Sequence, residues 1–147
     1  MTEVESNTQG HGVVRALGTT VAAWGAANVV GGSALAVSGR GPGVSAFGQQ
    51  CATWGAINLA IAGFGFWRSR SKPADLPRLR TILLVNAALD VGYMAVGVAL
   101  IGSVRGRTDP HAEVRRGHGA AIIVQGAGLG AIDTVYAAAV TRALHHG

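Results

Sequence analysis

The chain has 147 residues, 49% of them hydrophobic, and a net charge of +5 from 12 Lys and Arg against 7 Asp and Glu. That length is one domain's worth of material. The basic residues are scattered between apolar stretches rather than gathered on one face with aromatics, which argues against nucleic acid as their partner, and a lone cysteine, Cys51, excludes an internal disulfide.

Residues 1–12 read as a polar tail, and its Glu3 and Glu5 are wrong for the basic start of a signal peptide. Residues 13–144 read as a single domain made of four apolar spans. The first, about 14–37, has no charge between Ala16 and Gly39; the second, about 45–67, has none between Gly41 and Trp67. The third, about 81–104, holds only Asp90 between Thr81 and Val104; the fourth, about 119–142, holds only Asp133 between Gly119 and Thr141. Each exceeds the roughly 18–20 residues that cross a bilayer core. The expected fold is therefore an all-α integral membrane protein, a four-transmembrane-helix bundle, with the lipid bilayer as its first partner.

Arg68, Arg70, Lys72, Arg78 and Arg80 lie between the second and third spans, and Arg15 and Arg142 lie on the same side of the predicted topology. The loop from Arg105 to Arg116 has four arginines but shares them with Asp109 and Glu113. The balance places both termini in the cytoplasm by the positive-inside rule. One Lys against eleven Arg fits a GC-rich bacterial genome, and hence a bacterial inner (plasma) membrane.

The first two spans repeat. Gly18, Ala22, Trp24, Gly25, Ala26 and Asn28 match Gly48, Ala52, Trp54, Gly55, Ala56 and Asn58 at a shift of thirty, a shared W-G-A-x-N core. Gly18, Gly25 and Gly32, like Gly48, Gly55 and Ala62, recur at heptad spacing, a stripe that lets helix backbones approach closely in lipid. A short connection makes the two helices antiparallel neighbours. Trp24 then falls level with Asn58 and Asn28 with Trp54, which predicts a reciprocal pair of indole-to-amide hydrogen bonds.

The third and fourth spans echo each other more weakly, in an amide (Asn86, Gln125), an aspartate and then a tyrosine (Tyr93, Tyr136) three residues on. The prediction is a polar layer at the midplane. Asp90 and Asp133 are its reactive acids, and Trp24, Asn28, Trp54, Asn58, Asn86, Tyr93, Gln125 and Tyr136 its lining. An aspartate at the centre of a span costs roughly 2.5–3.5 kcal/mol on insertion scales. No Lys, Arg or His stands inside a span to neutralise it.

His111, Glu113 and His118 are too few for a metal site, no cofactor motif is present, and the "GAGLG" from Gly126 is a packing stretch rather than a nucleotide loop. In size alone the chain resembles the small multidrug resistance transporters and the fluoride channels. It lacks the glutamate of the first in its first span and has no Phe after Phe66 for the second, so no residue carries over.

The reading that asks least of four short helices is a proton- or cation-linked transporter or channel, working as a homo-oligomer. One alternative is an enzyme, an isomerase or cyclase, in which a protonated Asp acts as general acid on a lipophilic, isoprenoid-like substrate. Another is a non-catalytic subunit of a membrane complex.

Overall fold

The computed structural model describes residues 3–69 and 75–146. Arg70 and Lys72, which weigh in the charge balance, lie outside the described residues. The described chain is four helices in sequence: α1 Glu3–Ala36, α2 Pro42–Ser69, α3 Leu76–Gly102 and α4 Pro110–His146.

Local chemistry sets where they start. Asp75 takes an extended backbone and its carboxylate accepts from the Arg78 amide at 3.0 Å, with a proline in the first turn of α3. Asp109 does the same for α4, accepting from the Ala112 amide at 3.1 Å just ahead of Pro110. Both are N-caps, satisfying amides that the first helical turn leaves unpaired. The hydrogen bond from Ala112 and the Arg107 guanidinium, 3.0 Å away, hold the Asp109 carboxyl below its ordinary pKa. The cap at Asp109 makes α4 begin nine residues before the expected start of the fourth span. What reads in sequence as a loop around Arg115 is helix. The α1–α2 turn is made by Gly39 and Gly41, whose positive φ values of 68° and 118° suit glycine alone.

Packing is by small residues. α1 and α2 run antiparallel with Gly25 against Gly55 and Gly32 against Gly48. A Cβ added at Gly25 would stand 2.8 Å from the Gly55 carbonyl oxygen, and one at Gly55 2.6 Å from that of Gly25. α3 and α4 form a second antiparallel pair through Gly97 and Gly119 in the same manner. The two hairpins meet through α4, which packs on α2 and, over a shorter length, on α1. α2 and α3 both lean on α4 and hardly touch each other among the described residues, which leaves a groove between them.

The buried apolar residues are mainly alanines; at one end Leu83, Ala137 and Val140 are covered by Val13, Leu17, Leu76, Leu79 and Tyr136, and at the other Val104 is buried. The outside is apolar instead: Val85, Leu89, Val91, Val96 and Val98 of α3 and Ile61 and Phe64 of α2 are all exposed. Soluble monomers rarely expose contiguous apolar faces of this kind.

Three of the helical stretches, Gly10–Ala36, Leu76–Gly102 and Pro110–His145, are long and apolar enough to cross a membrane, which is compatible with a membrane protein. α2 has the length, 28 residues, but not the hydropathy, because Gln49, Gln50 and Asn58 interrupt it. Gln50 pairs with His118 and Asn58 is buried, so two of these polar side chains turn toward neighbouring helices.

Candidate functional site

Glycine contacts set the levels of the helices. Each of these glycines sits between residues i and i+4 of the facing helix, Gly25 between Gly55 and Leu59 and Gly55 between Gly25 and Val29, so Trp24 stands level with Asn58 and Asn28 with Trp54, as predicted. Level alone does not pair them, and no Trp-to-Asn side-chain bond forms between α1 and α2 among the described residues. Trp24 turns to α4 instead, lies over Gly128, and donates from Nε1 to Gln125 Oε1 at 3.2 Å. Gln125 Nε2 in turn donates to Asn28 Oδ1. Asn28 Nδ2 donates to the Trp24 carbonyl at 2.8 Å, closing a ring of three hydrogen bonds. Buried Cys51 stands beside Gln125. This ring ties α1 to α4 at mid-span with every amide donor it uses matched to an oxygen.

Trp54 has a different partner from its counterpart Trp24. Its ring meets that of Tyr93 on α3 edge to face, with centroids 5.8 Å apart at 68°. These two rings bridge the groove between α2 and α3. Beneath them is a small cavity of about 20 Å³ lined by Trp54, Asp90, Tyr93, Ile122, Gln125 and Leu129. Room for about one water needs roughly 10–15 Å³, so the space holds one small guest.

Asp90 reaches this cavity from α3, packed against Gly126 and Gly130 of α4, and is 5% exposed. Its Oδ2 is buried without a hydrogen-bond partner. An unpaired buried acceptor costs about 1–3 kcal/mol, more if charged. Its occurrence at a cavity wall sets Asp90 apart from the other polar groups of the described residues.

Asp133 is also buried, 8% exposed. Gly97 sits between Gly119 and Ile123, and Gly126 between Asp90 and Met94, which sets Asp133 near the level of Val85, five residues from Asp90 and so about 7.5 Å along the axis. Trp24, Asn28, Trp54, Asp90, Tyr93 and Gln125 gather at the cavity and the hydrogen-bonded ring beside it. Asn58 is buried with its Nδ2 unpartnered, and the Tyr136 hydroxyl bonds that of Thr20 at 2.7 Å. Asn86 stands apart, since its side chain is exposed on α3.

Residue-type reasoning missed Thr20, whose hydroxyl is an ordinary feature of a span, and Cys51. It also missed the division of the third loop. His111 and His118 line one groove while Glu113 lines another on the far side of α4, so the three do not converge.

Residues 20–134 match a family described as "Family of unknown function (DUF6992)". The chain belongs to this family. The matched segment holds the hydrogen-bonded ring, the cavity and both aspartates, and stops two residues before Tyr136. No curated protein and no solved structure matches the chain.

Proposed function

We propose that this DUF6992 chain is a proton- or cation-linked transporter or channel of a bacterial inner membrane, with all four helices crossing the bilayer and both termini cytoplasmic. The observation that carries the reading is Asp90 Oδ2, buried and unpartnered at a cavity with room for one small guest. A carboxylate there has no Lys, Arg or His ion-pair partner among the described residues. Intramembrane acids of this kind mark ion and proton pathways. A proton on the carboxyl, or a cation held between Asp90 and Gln125, removes the cost of the buried charge. Three helices arranged around α4 enclose no continuous path among the described residues, so the working form is a homo-oligomer or a complex with another membrane subunit.

The test is flux in proteoliposomes carrying an internal pH dye, with imposed H⁺, Na⁺ or K⁺ gradients. The wild type conducts one of these ions, and Asp90→Asn, verified as folded by helical circular dichroism and gel filtration, loses at least 90% of it. Equal flux in Asp90→Asn, or none of these ions moving through the wild type, refutes the reading.

A second reading has an observation of its own. The Trp54 and Tyr93 rings border the Asp90 cavity at the groove between α2 and α3, where an apolar molecule in the bilayer meets an acid flanked by two π faces. That is an arrangement for acid-catalysed isomerisation or cyclisation of a lipophilic substrate, with the rings stabilising a developing cation. Conversion of a component of a bacterial lipid extract by wild type but not by Asp90→Asn would favour it over transport.

A further inference from the structure

The groove between α2 and α3 widens at the α3–α4 connection into an open depression of about 620 Å³, within the roughly 300–1,000 Å³ of small-molecule sites. Its lining is of two kinds. The end at the helix termini is lined by Arg107, His111, Arg115 and His118. The apolar wall of the depression is Leu100, Val114 and Ile122, with Ile122 the deepest, about one turn beyond His118. Ile122 also lines the Asp90 cavity, so the depression leads toward mid-span.

The charges at the basic end do not cancel. Asp109 is the acid beside it, and its carboxylate already caps α4 and holds Arg107. Glu113 points to the opposite side of α4, against Gly43. Arg116 is committed to the Val104 and Arg107 carbonyls. Arg115 is exposed and has no ion-pair partner among the described residues. His118 Nδ1 meets Gln50 Oε1 at 3.2 Å, a contact that fixes one ring nitrogen and leaves the other to the depression. The result is a cationic mouth at the end of a span, opening into a hydrocarbon-lined slot that faces the bilayer.

We propose that this depression binds one anionic phospholipid, with its phosphate at Arg107, Arg115 and the two histidines and an acyl chain along Leu100, Val114 and Ile122. Charge complementarity selects this occupant. A zwitterionic lipid brings its own cation to the mouth, and a soluble anion leaves the apolar slot unfilled. Basic pockets at the headgroup level between helices are suited to anionic lipid headgroups. The inference is independent of what Asp90 does.

Native mass spectrometry of the purified protein tests it. The protein, in mild detergent, is mixed with dipalmitoyl phosphatidylglycerol, with dipalmitoyl phosphatidylcholine, or with phosphatidylglycerol plus millimolar inorganic phosphate. The wild type retains one phosphatidylglycerol at least fivefold more than phosphatidylcholine, and inorganic phosphate does not displace it. Arg115→Gln reduces the preference, and Arg107→Gln with Arg115→Gln abolishes it. Arg68→Gln with Arg142→Gln, which removes the same charge at the other end of the molecule, leaves it intact. Equal retention of the two lipids overturns the proposal, as does a preference that survives in the Arg107/Arg115 variant. So does a preference lost equally in the Arg68/Arg142 variant, which would show general charge attraction. Displacement by inorganic phosphate overturns the lipid in favour of a soluble anion.

Discussion

Among the polar side chains at mid-span, most are committed and one is not, and substitutions separate the two kinds. Gln125 accepts from Trp24 and donates to Asn28, so Gln125→Leu leaves an indole N–H and an amide oxygen unpaired. Interhelical hydrogen bonds in membranes average about 0.6 kcal/mol and reach about 1.7, so losing two costs roughly 1–2 kcal/mol. Thermal unfolding in detergent reads this directly. Asp90→Asn removes no bond from Oδ2, so its unfolding temperature should stay close to wild type while function is lost. Outside the membrane the sign of a pH effect can be worked out for Asp109. Its folded pKa is depressed by the Ala112 amide and Arg107, so its contribution is present above the ordinary carboxyl pKa of about 3.9 and lost as pH falls through the folded value. Asp109→Ala should therefore unfold at lower temperature than wild type at pH 7, with the gap closing as pH falls below 4. A gap that does not change with pH would mean that Asp109 acts without its charge.

At the scale of the helices, glycine has two uses, and they predict opposite results. Gly25 and Gly55 hold α1 and α2 in backbone contact, and a Cβ at either collides with the other's carbonyl. Gly25→Val should cost ~1–3 kcal/mol by overpacking and weaken the α1–α2 hairpin. Gly63, in α2, has nothing within 4 Å of an added Cβ. Gly63→Ala should be neutral or stabilising by up to about 1 kcal/mol through backbone entropy. A matched pair of unfolding curves checks both; equal losses would mean that the close contact is not what holds the hairpin. The heptad of glycines was legible in the sequence because small residues at that spacing have few other uses in an apolar stretch. Which side chains would pair was not. Trp24 stands level with Asn58 but turns to Gln125, because α4 packs against both α1 and α2, and nothing in the order of residues shows which neighbouring helix an indole will face. The early start of α4 was readable, since Asp109-Pro110 is a cap and first-turn signal; the charged residues that follow it had been weighed only as a loop.

For the whole molecule, the all-helical architecture and the apolar stretches of α1, α3 and α4 follow from charge-free length alone. α2 does not reach the same hydropathy, and its crossing of the bilayer is the part of the four-span proposal most open to test. In a Cys51→Ala background, single cysteines at Ser38, Ser69 and Ser103 can be labelled with an impermeant maleimide in right-side-out and inverted vesicles. A spanning α2 puts Ser38 and Ser103 on one side and Ser69 on the other. Labelling of Ser38 and Ser69 from the same side would make α2 a helix held at the surface or against the bundle. The site was legible only in part, because burial of Asp90 at a cavity depends on α3 leaning on α4 while standing away from α2, a packing choice made by glycines rather than by the polar residues themselves. The most direct test of the central claim, that the Asp90 carboxyl is poised to take a proton or a cation, is infrared difference spectroscopy on the lipid-embedded protein. Spectra are taken on changing pH and on adding Na⁺ or K⁺, for wild type against Asp90→Asn and Asp133→Asn. The account predicts carboxyl bands that respond in wild type and in Asp133→Asn and vanish in Asp90→Asn. Bands that respond equally in Asp90→Asn, or that respond to neither protons nor cations in wild type, would contradict it.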